Sequence, residues 1–131
     1  MKRRYKKIRP MKRLTTKMLY IHQINGSKRH LLNNLLIADS FVKRMIGLLG
    51  NDVLDESSGL LITPCNLIHT FGMKFKIDVI FLDKNRRILN CRTNVPKNRV
   101  HGQLNAKHTM ELSAGSVDRF GLRKGDELVW Q

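Results

Sequence analysis

Cys65, His69 and Met73 stand four residues apart in turn. A thiolate, an imidazole and a thioether form the soft donor set that suits Cu(I). On a helix this spacing brings side chains to about 5–6 Å of one another. On a strand it keeps them on one face but roughly 13 Å apart, at about 3.3 Å per residue, too far to share an ion. Pro64, Thr70, Phe71 and Gly72 disfavour a regular helix. A metal site at Cys65, His69 and Met73 therefore requires an irregular loop that folds all three inward. The expectation is instead no metal and no cofactor, with a half-buried thiol and a hydrogen-bonded imidazole lining a polar pocket around residues 65–78. The enzyme alternative makes Cys65 a nucleophile and His69 its base. It needs a cation to stabilise the thiolate, and no Cys-protease signature surrounds Cys65.

Two acids fall inside apolar runs. Asp78 interrupts Ile77–Leu82, and Glu111 sits in His108–Ser113. A buried carboxylate without a partner is costly. Arg44 is the expected partner, since a guanidinium can hold a carboxylate through two hydrogen bonds. An ion pair pinning a helix on a sheet is the structural reading. The functional reading makes Asp78 and Glu111, with Arg44, Cys65, His69 and Met73, the polar lining of a ligand pocket.

Charge is concentrated at the front of the chain. The 131 residues carry 25 Lys and Arg against 10 Asp and Glu, a net +15. Residues 1–17 contribute nine of those bases and no acid. Lys2, Arg3, Arg4, Lys6, Lys7, Arg9, Lys12 and Arg13 are candidates for phosphate contact, on nucleic acid or on an anionic membrane. Only 6% of residues are aromatic, and no strand interleaves aromatic with basic residues, so any nucleic-acid binding would be non-specific. The basic start lacks the apolar run that a signal peptide requires, and no segment reaches the roughly 18 apolar residues of a membrane-spanning helix. Two cysteines are too few for a disulfide framework. The expected location is the cytoplasm, with both thiols reduced.

These side chains must be positioned by short elements. Residues 1–17 read as a flexible basic arm, and 18–131 as a single domain. Leu19–Ile24 and Leu31–Ala38 flank Asn25-Gly26, a strong hairpin signal. Val42, Met45, Ile46 and Leu49 then repeat at helical spacing behind the N-cap candidates Asp39 and Ser40. Strands follow at Gly59–Thr63, Ile77–Leu82, Arg87–Thr93, His108–Ser113 and Glu127–Trp130, with Asn94–Lys107 reading as a polar loop and Ala114–Leu122 as a site for one helical turn. The fold class is mainly β (α+β): a compact rolled or barrel-like sheet of about seven or eight short strands with one helix packed across it.

Four segments carry a family resemblance: Ala38–Leu49; Gly59-Leu-Leu running on through Cys65 and His69-Thr-Phe-Gly-Met73 to Asp83; Glu111–Gly115; and Gly121-Leu-Arg-Lys-Gly125-Asp126. In this order and spacing, residues 18–131 resemble the bacterial and archaeal family termed domain of unknown function 192, in the branch that places Cys and His ahead of the Met-Lys. The resemblance implies a compact, mainly β fold and no established reaction. Some members neighbour secretion or pilus-assembly genes, which is an association only. Arg86 occupies a turn position where the family usually has Gly, which leaves Asn85 as the expected carrier of any positive φ. Ser113 replaces a usual Pro. The reading as a whole is a small binding or accessory module with an unidentified partner, a protein or an anionic surface.

Overall fold

The structure, a computed structural model, describes residues 15–40 and 54–131. The helix expected from Val42 to Leu49, and with it Arg44, lies outside the described residues, as do Lys2 to Arg13.

Strand β1 (Thr15–His22) and strand β2 (Lys28–Ala38) form the expected hairpin. Gly26 takes φ 83°, and the Asn25 side chain accepts the Ser27 N–H at 3.0 Å. Strand β1 starts at Thr15, so Thr15–Lys17 pair with Leu35–Ile37; charge alone placed them in the arm. Strand β3 (Ser58–Ile62) runs parallel to β2. Strand β5 (Ile77–Leu82) pairs on one side with β6 (Ile88–Val95) and on the other with β8 (His108–Ser113). Strand β9 (Leu128–Trp130) joins β1. The main sheet then has seven strands in the order β6-β5-β8-β3-β2-β1-β9.

The sheet rolls until its two edge strands meet without closing a barrel. One bridge, Arg87 to Glu127, joins them, with the two side chains 3.4 Å apart. Hydrogen bonds from Ile88 N–H to the Asp126 carbonyl and from Leu128 N–H to the Arg86 carbonyl extend this seam.

Strands β3 and β5 are apolar on both faces because both faces are covered. On one face Leu19, Leu32, Leu35, Ile80, Leu82, Met110 and Leu112 pack with Val117 and Leu122. Val117 belongs to a short helix, α1 (Ser116–Phe120). On the other face Leu60, Ile62, Val79, Phe81 and Val95 pack with Ile68 and Met73. Ile68 comes from β4 (Leu67–His69), which pairs with β7 (Val100–Gly102) in a separate two-stranded sheet. That small sheet forms a second layer across the main one. It occupies stretches expected as loop, including part of Asn94–Lys107.

Candidate functional site

Asp78 is fully buried, and its carboxylate serves the backbone. One oxygen, Oδ1, accepts the Asn94 N–H at 2.9 Å, and Oδ2 accepts the Val117 N–H at 2.9 Å. The first bond sits at a bulge, where Ile77 faces Val95 but Val79 faces Arg92, and Asn94 has φ 50°. The second meets an orphan N–H in the first turn of α1. One side chain thus fixes a kink in β6 and the seat of the helix.

Glu111 is opposed by Leu60 on one side and Val79 on the other. Directly opposed residues share a face, so Glu111 points toward Met73 and Ile68, away from Asp78. The two acids lie on opposite faces of the sheet and share no partner among the described residues. Glu111 Oε2 is buried with no hydrogen-bond partner among the described residues, and burial holds its carboxyl up at about 7.

The Cys65, His69, Met73 series is divided between core and surface. Met73 is buried among the residues of the Glu111 face, and Cys65 packs at its border. The Cys65 thiol donates to the Leu67 carbonyl at 3.2 Å, and its own carbonyl accepts the Thr109 hydroxyl at 2.9 Å. His69 is on the outer side of β4, its ring 5.6 Å from that of Phe71. Among the described residues no cluster of three His, Cys, Asp or Glu could hold a metal ion. Cys91 is a second thiol, but burial, with Asp78 and Asp126 adding to it, pushes it up to about 11, which keeps it protonated and unreactive.

The outer face of the small sheet was missed by sequence reasoning. Strand β4 alternates: Ile68 turns inward while Leu67 and His69 face solvent, opposite Gly102 and Val100. Leu67 is 61% exposed, Phe71 50%, Val100 53% and Leu104 87%. Few large apolar side chains elsewhere among the described residues are as open. Around them, residues 63–77 hold two Lys or Arg and residues 84–110 hold seven, and neither stretch holds an Asp or Glu. Lys76, Lys97, Arg99 and Lys107 are exposed. The available signal was that absence of acids, visible in the sequence but not tied to a surface until β4 and β7 pair.

A mixed, rolled sheet carrying a two-stranded layer and one short helix defines a compact β module. The chain belongs to the family of domain of unknown function 192, described as "Uncharacterized ACR", whose model matches residues 21–130. A UPF0127 protein from Thermococcus sibiricus is 32% identical over 99 residues, spanning 72% of this chain and 64% of the relative's length. One from Pyrococcus horikoshii is also 32% identical over 99 residues, covering 72% of this chain and 84% of its own. Two crystal structures share the fold at a TM-score of 0.79 and 18% identity. One is a protein of unknown function from Novosphingobium aromaticivorans, matched over 95% of this chain and 91% of that one. The other, from Sinorhizobium meliloti, is a proposed transcription regulator, matched over 89% and 95%. Among the described residues no helix is long and apolar enough to cross a membrane.

Proposed function

We propose that this chain is a binding module that works through a surface, the outer face of the β4–β7 sheet. The observation that carries this reading is that Leu67, Phe71, Val100 and Leu104, all at least half exposed, fall in two short stretches, 67–71 and 100–104, that the β4–β7 pairing brings together and that hold no acid. Contiguous exposed apolar surface rimmed by polar groups marks interaction sites. The Cys/His alternative draws no support from the geometry: the Cys65 thiol is engaged with a backbone carbonyl and His69 stacks on Phe71. A pocket lined from Met73 to Asp78 is likewise unsupported, because those residues face opposite sides of the sheet.

A photoreactive side chain at position 67 or 104 tests the reading in living cells, with position 24 as control. Ile24 is also fully exposed but lies in the β1–β2 hairpin. Adducts at 67 and 104 well above those at 24 are the expected result. Equal adducts at all three positions would contradict it.

A further inference from the structure

We infer that the occupant of this face is the surface of an anionic lipid bilayer. The inference rests on the reading of the β4–β7 face as a docking surface and names what docks there. Two properties of the face select a bilayer. Leu67, Val100 and Leu104 are aliphatic, and a headgroup–acyl boundary takes up aliphatic side chains while attracting the Lys and Arg around them. Phosphates of a nucleic acid satisfy the cations but leave the aliphatics in water, and base stacking needs aromatic platforms, of which this face has only Phe71.

The N-terminal bases are a second cationic feature of the chain. Thr15 pairs with Ile37 and Ile37 with Leu61, so the chain enters the sheet at the end from which Thr63–Cys65 leads into β4. Eight bases precede Thr15 without an acid. Stable attachment to a bilayer takes two signals, and the sequence offers a polybasic segment besides the apolar face.

The test is co-sedimentation of the full chain with vesicles of phosphatidylglycerol and phosphatidylcholine in equal parts, and with phosphatidylcholine alone, at about 0.15 M salt. Binding to the anionic vesicles at least tenfold above the neutral ones is expected. The double variant Leu67→Ser/Leu104→Ser should lose about tenfold or more of that binding and keep its melting temperature, since both side chains are exposed. Undiminished binding by the variant overturns the inference, because the polybasic segment alone would then account for it. Preference for duplex DNA at equal phosphate concentration overturns it too. Photo-adducts at 67 and 104 to protein rather than lipid would sink the bilayer while leaving the docking face; no excess of adducts at those positions would sink both.

Discussion

Glu111 shows what one side chain contributes. Its raised carboxyl, at about 7 against an ordinary 4.5, means that the folded protein holds a proton the unfolded chain releases. Its contribution to stability is therefore full below pH 4.5, falls as the pH rises from there, and levels off above 7. The loss across that window is on the order of 3 kcal/mol. His108 slopes the other way. Burial first, then Arg86 and Lys107, lower it to about 4, so its contribution is present above its unfolded value of 6.5 and is lost as the pH falls toward 4. Denaturant midpoints of Glu111→Gln measured from pH 4 to 8 should lack the decline on the alkaline side and exceed the native midpoint above pH 7. A native-like decline in this variant would assign the pH dependence elsewhere. Some of this was legible in advance: an acid in an apolar strand predicts strain. That Asp78 serves two backbone N–H groups was not, nor that Asp78 and Glu111 fall on opposite sides, because neither the bulge in β6 nor the seat of the short helix can be read from strand alternation. Arg86 is a correction of the same kind. It, not Asn85, takes φ 63°, as the last residue of a three-residue loop where an αL conformation follows a type I turn. Its guanidinium lies 3.9 Å from the centre of the Trp130 ring and donates to the Trp130 carbonyl at 3.2 Å, offsetting a backbone cost of about 1 kcal/mol.

At the scale of elements, strand periodicity carried most of the reading. Ile77–Leu82 and His108–Ser113 form as expected because their apolar runs are bounded by polar turns. The β4–β7 sheet was illegible for the same reason that it matters. Each strand is three residues long, and one apolar face looks outward, so neither alternation nor a continuous run marks it. Asp78 ties the bulge of β6 to the first turn of α1. Asp78→Ala should cost about 3–5 kcal/mol, since it strands two backbone donors beneath the sheet. Asp78→Asn keeps one acceptor and should cost roughly half as much. Equilibrium urea unfolding of both variants checks this, and a loss under about 1 kcal/mol for Asp78→Ala would mean that the bulge and the helix hold themselves.

For the whole molecule, strand patterning foretold a mainly β fold and the sequence an uneven charge, but the acid-free stretches behind the net +15 are brought together only when β4 pairs with β7. Asp126 and Glu127 lie at the β6–β9 seam, and β4 and β7 themselves carry no acid. Hydrogen exchange of the full chain with and without vesicles half composed of phosphatidylglycerol tests this arrangement most directly. Slowed exchange at Leu67–Phe71 and Val100–Leu104, with Gln23–Ser27 unaffected, is the result the account expects. Slowing confined to residues 1–14, or shared equally by the β1–β2 hairpin, would contradict it.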